Sequence, residues 1–140
     1  MARLALISLH DTTGLVDDAR RLIGAGFTLL ASRESSSLIA AAGLPVIDLA
    51  DYTALTEDFG FPPTLHPKLE RALTARPADL AEPAIELAYI NPYPADVGND
   101  VGGRTILMLA VKGQRLAASS RADLHRVLAC LETGGDLPAL

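Results

Sequence analysis

The chain of 140 residues has one cysteine, Cys130, so no disulfide can form within it. That composition fits a reducing compartment. No apolar run approaches the roughly 18 residues that would suggest a membrane span, and no basic-then-apolar leader opens the sequence. The expectation is a cytoplasmic protein without a membrane partner. No basic block occurs and the formal net charge is -5, which argues against extended nucleic-acid binding. One cysteine and three dispersed histidines form no ligand-spaced pair, so no metal is expected. Internal repeats are lacking, and low complexity is limited to a short serine cluster at Ser35–Ser37. What remains is a length suited to one domain, 1–140, with a core that needs neither disulfide nor metal.

Periodicity then sets out the elements. Arg3 to Leu9 and Phe27 to Ala31 read as buried strands, and Leu44 to Leu49 as a third with Pro45 near its start. Between the first two, Leu15, Val16, Ala19, Leu22 and Ile23 make a helical stripe, with Thr12 or Thr13 as cap and Gly24 and Gly26 as stops. Ser32 to Ser37 leads into a second helix that Gly43 closes. Ala50 to Pro63 reads as irregular, since Pro62 and Pro63 oppose regular helix. His66 to Ala75 is helical, Ile85 to Asn91 a fourth strand, and a second long loop runs through Pro92, Pro94, Gly98 and Gly102–Gly103. Helix Thr105 to Lys112, strand Arg115 to Ala118 and helix Ala122 to Glu132 complete the chain, with Cys130 as a small core residue and His125 on the exposed face of the last helix.

Alternating strands and helices predict an α/β doubly wound three-layer sandwich with a mainly parallel sheet of about five strands. Ligands in such folds bind beyond the carboxyl ends of the strands, where strand order switches. His10–Asp11, the serines from Ser32, and Asn91–Tyr93 all follow strands and would gather there.

Five segments, in order, resemble the IMP cyclohydrolase domain of the methylglyoxal-synthase-like superfamily: SLHDTTG at 8–14, LPVIDLADYT at 44–53, TLHPK at 64–68, INPYP at 90–94 and DVGGRTILMLAVK at 100–112. The resemblance implies a methylglyoxal-synthase-like fold and a homodimer or higher homo-oligomer. It also implies an enzyme that closes, or opens, the pyrimidine ring of a purine-type nucleotide or altered nucleoside-like substrate, without a cofactor. The transformylase domain usually fused to such a domain is not expected here. Lys112, Asp100 and Tyr93 match the family's catalytic positions: Lys112 would donate to the oxyanion, Asp100 would orient the carboxamide, and Tyr93 would hydrogen-bond the reacting group. Asp11, Ser32, Arg33, Ser35, Thr64, His66, Asn91, Gly102 and Gly103 would contact substrate.

Plainer roles stand beside these. Lys112 also complements a helix dipole, Asp100 shapes a turn, Tyr93 forms a rim, and Asn91 organises a loop. His66, Asp11, Ser32 and Ser35 also suit helix caps. The chain further departs from the family: Thr12 replaces a lysine, Ser32–Ser35 replaces a glycine-rich phosphate loop, and Phe61 and Pro63 stand where basic residues precede TLHP. Those losses suggest a specialised paralogue, and they keep open a non-catalytic nucleotide-binding or regulatory domain. Methylglyoxal synthase itself fits less well, because TLHPK and INPYP are present.

Overall fold

The computed structural model describes residues 3–55 and 62–134. Five strands, β1 (Arg3–Leu9), β2 (Phe27–Ala31), β3 (Ile47–Asp48), β4 (Ile85–Asn91) and β5 (Leu116–Ala118), form one sheet in the order β3-β2-β1-β4-β5. Every pairing is parallel. Among the described residues, six α-helices flank it: α1 (Leu15–Gly24), α2 (Arg33–Ala41), α3 (Leu49–Thr53), α4 (Pro67–Thr74), α5 (Val101–Lys112) and α6 (Arg121–Thr133).

Strand alternation divides the core in two. Ala5, Ile7, Leu29, Leu87 and Tyr89 point to one face and pack with Leu22 of α1, Ile39 of α2 and Leu128 of α6. Leu4, Leu6, Leu30, Ala88 and Ile90 point to the other and pack with Leu49, Leu69, Leu73 and Ile106 of α3, α4 and α5. Both faces are covered, which is why the strands read as nearly continuous apolar runs. A register shift between Leu4 and Ala5 makes Leu4 face Ile85 and Ala5 face Leu87, so Glu86 is skipped in the pairing.

β1 lies in the middle of the sheet. The chain first steps outward to β2 and β3, then returns to β4 on the other side of β1. The switch in strand order is therefore between the carboxyl ends of β1 and β4.

Three boundaries differ from the sequence reading. The third strand shrinks to Ile47–Asp48, because Asp48 caps a new helix: its carboxylate accepts the Ala50 N–H at 2.9 Å. The stretch from Ala50, read as irregular, thus begins with the short helix α3. Gly102 and Gly103, read as loop, lie in the first turn of α5. A Cβ on Gly102 would clash with Thr64 and Pro62, and one on Gly103 would lie 2.7 Å from the Asp100 carboxylate. The glycines are there for close packing, and Asp100 starts the helix despite their low propensity. No helix among the described residues is long and apolar enough to cross a membrane.

Candidate functional site

Asn91, the last residue of β4, ties the switch point together. Its Oδ1 accepts the backbone N–H groups of His10 at 2.6 Å and Asp11 at 3.0 Å, while Nδ2 donates to the Asp11 carbonyl at 3.0 Å. The loop leaving β1 is thereby pinned to the end of β4. Asp11 in turn accepts the Thr13 N–H at 3.0 Å. Hydrogen bonds from Thr13, aided by the adjacent His10, hold the Asp11 carboxyl below its ordinary pKa. The exposed His10 ring meets Tyr93 edge-on, with centroids 6.2 Å apart.

Asp100 organises the other side of the crevice. One oxygen accepts the Gly103 N–H at 2.8 Å as the α5 cap, and the other accepts the Tyr93 N–H at 3.2 Å. The Tyr93 hydroxyl donates to the Asn99 carbonyl at 3.0 Å, which closes the 93–100 loop on itself. Thr64 is buried against Gly102, and His66 caps α4 by accepting the Lys68 N–H on Nδ1 at 3.1 Å. The plainer cap role therefore holds for His66.

The start of α2 adjoins β1 at the same edge, where the Ser32 N–H donates to the Ile7 carbonyl at 3.0 Å. Ser32 occupies the cap position, yet its side chain makes no capping bond. Arg33 is exposed. Ser35, one turn in, is fully buried, and its hydroxyl has no hydrogen-bond partner among the described residues. A buried polar atom left without a partner is uncommon in folded proteins.

The sequence reading missed a further cluster at this edge. Asp18 of α1 is only 1% exposed. It binds Arg121 Nε at 2.9 Å and Nη2 at 3.3 Å, and His125 Nε2 at 2.8 Å. His125 is consequently half-buried against α1 and does not lie on a free face. The Arg121 guanidinium rests directly on Gly14, whose φ of 71° and missing Cβ make the space. The available signal was Asp18 itself, a carboxylate on the apolar stripe of α1.

One expected residue leaves the group. Lys112 ends α5, a helix that runs away from the switch point, so it lies roughly 16 Å along the axis from Val101. It lines a cleft at the amino edge of the sheet with Arg3, Glu86 and Leu116. The expected convergence of Lys112 with Ser32, Asn91, Tyr93 and Asp100 within one chain is thus corrected: the last four lie at the carboxyl edge and Lys112 at the opposite one. Phe61 lies outside the described residues.

No protein-family profile matches the chain. Among solved structures, it is similar to the crystal structure of ForH, with a TM-score of 0.74 and 26% sequence identity over 96% of this chain and 82% of that one.

Proposed function

We propose that the carboxyl edge binds a purine-type nucleotide, or a nucleoside-like relative, and that the chain closes or opens its pyrimidine ring as an IMP cyclohydrolase-like enzyme. The observation that carries the binding half is the start of α2, where an uncapped helix end adjoins the buried, unpartnered Ser35 hydroxyl. A phosphate there takes the first-turn N–H groups, the Ser32 hydroxyl and the Arg33 guanidinium. The base then extends toward the β1–β4 crevice, beside His10 and Tyr93.

Ring closure requires a carboxamide nitrogen to attack a formyl carbon, an oxyanion to form, and water to leave. His10 is the group placed to carry a proton from the nitrogen to the departing hydroxyl. The Gly102 N–H at the start of α5, which has no acceptor among the described residues, is a donor for the oxyanion, and the Tyr93 hydroxyl becomes a second by exchanging the Asn99 carbonyl for it. Asp100, with both oxygens engaged by backbone N–H groups, acts as a positioning residue for Tyr93 and α5.

A second reading has its own support. Lys112 stands at the far edge and Asp100 serves as a cap, which favours a nucleotide-binding domain without turnover. Ultraviolet detection of ring closure, with the formylated ribonucleotide and its nucleoside, separates the two. Turnover that falls about 100-fold in His10→Ala, the scale of one general acid–base group, supports the enzyme. Nucleotide binding with no turnover of either substrate supports the binding domain. Absence of both binding and turnover removes the two readings together.

A further inference from the structure

At the amino edge of the sheet, opposite the site above, a cleft of about 540 Å³ opens between the ends of α4 and α5 and the starts of β1, β4 and β5. Arg3, Arg76, Lys112 and Arg115 line it, against one carboxylate, Glu86. Four of the chain's 12 basic residues thus meet there, in a protein whose net charge is -5.

Two of the four are already paired. Arg3 binds Glu86 at 3.2 Å, and Arg76 binds Asp79 at 2.9 Å. Lys112 and Arg115 have no carboxylate within ion-pair distance among the described residues. Arg115 is 8% exposed and donates to the carbonyls of Ile85, Gly113, Ala72 and Ala75 at 2.6–3.1 Å. Its donors are largely satisfied, but carbonyl dipoles do not neutralise its charge. Burial opposes that charge and lowers the pKa from the usual arginine value; the guanidinium nevertheless stays protonated. Beside it, Gln114 sits in the left-handed region at φ 57°, a costly conformation for a residue with a side chain.

We propose that this cleft binds a phosphoryl anion, a phosphomonoester or pyrophosphate, whose charge is met by Lys112 and by the field of buried Arg115. With Arg3 paired to Glu86 and Arg76 to Asp79, the cleft keeps a net positive potential from Lys112 and Arg115, and Gln114 supplies a neutral donor. The site is independent of the carboxyl edge, since the two lie at opposite ends of the same strands.

The test is a nuclear magnetic resonance titration of the labelled whole chain with pyrophosphate at low ionic strength. Saturating amide shifts are expected over Lys112–Leu116 and around Arg76, and they should persist in the Ser32→Ala/Arg33→Ala double variant. Lys112→Glu should weaken them about tenfold or more, the loss of one charge-assisted contact. Arg3→Gln is the second variant should Lys112→Glu unfold the chain, and it should weaken binding severalfold. Shifts reproduced by sodium chloride at matched ionic strength, shifts confined to the ends of β1, β2 and β4, or binding indifferent to both variants would overturn the proposal.

Discussion

Asn91 and Asp11 exchange two hydrogen bonds, side-chain amide against backbone amide, each at 3.0 Å. The pair extends the β1–β4 ladder one step beyond the strands. Asn91→Ala removes the acceptor for two N–H groups and the donor for one carbonyl. Because the loop is exposed to water, the loss should be about 1–3 kcal/mol. Urea unfolding should show a lower midpoint at unchanged slope, with faster hydrogen exchange at His10 and Asp11. Exchange that stays at the wild-type rate would mean the clamp is dispensable.

Asp18 sets the second prediction. Its buried carboxylate joins α1 to α6 through Arg121 and His125, whose side chains are 41% and 40% exposed. Water screens the partners, so the pairings contribute less than a fully buried network. Asp18→Ala should still destabilise by about 2 kcal/mol, the scale of hydrogen bonds to a charged group. In a double-mutant cycle with Arg121→Met the two effects should not add. Additive effects would show that the contact carries no coupling energy.

Two neighbours after α5 should respond in opposite directions. A Cβ on Gly113 would run into the backbone carbonyl of Leu73, so Gly113→Ala must push α4 away from α5 and destabilise by about 2–4 kcal/mol, as over-packing and strain do. Gln114 holds the left-handed position that ends the helix, where glycine is usual. Gln114→Gly should raise stability by about 0.5–1 kcal/mol. Thermal unfolding of the two variants checks both signs at once.

The acid limb of the stability curve should report Asp123. Its carboxylate accepts from Arg126, and further bonds with Ser119 and Ser120 help hold its pKa below the ordinary 3.8. A carboxyl depressed on folding stabilises the native state above its unfolded pKa, and that contribution disappears as pH falls through the folded value. Asp123→Asn should therefore be less stable than the wild type near neutrality, and the gap should close below about pH 4. A gap independent of pH would assign the effect to packing.

Much of this molecule is legible in its sequence. Arg3–Leu9, Phe27–Ala31 and Ile85–Asn91 emerge as strands with those bounds because each is a nearly continuous apolar run that a sheet covered on both faces can bury. Alternation with helices then implies parallel pairing, and strand-end polar residues such as Asn91 mark the carboxyl edge. Other features depend on contacts that no local pattern carries. Gly102 and Gly103 look like loop until Thr64 and Pro62 are seen packed against them, and Asp48 becomes a cap only when Ser36 and Ala50 hold its carboxylate. Lys112 shows the limit most clearly. Twelve residues after Asp100 is a fixed distance in sequence, but an unbroken helix carries those residues from one edge of the sheet to the other. Whether two groups share a site depends on the direction of the intervening helix, which is decided when α5 packs against β4 and β5.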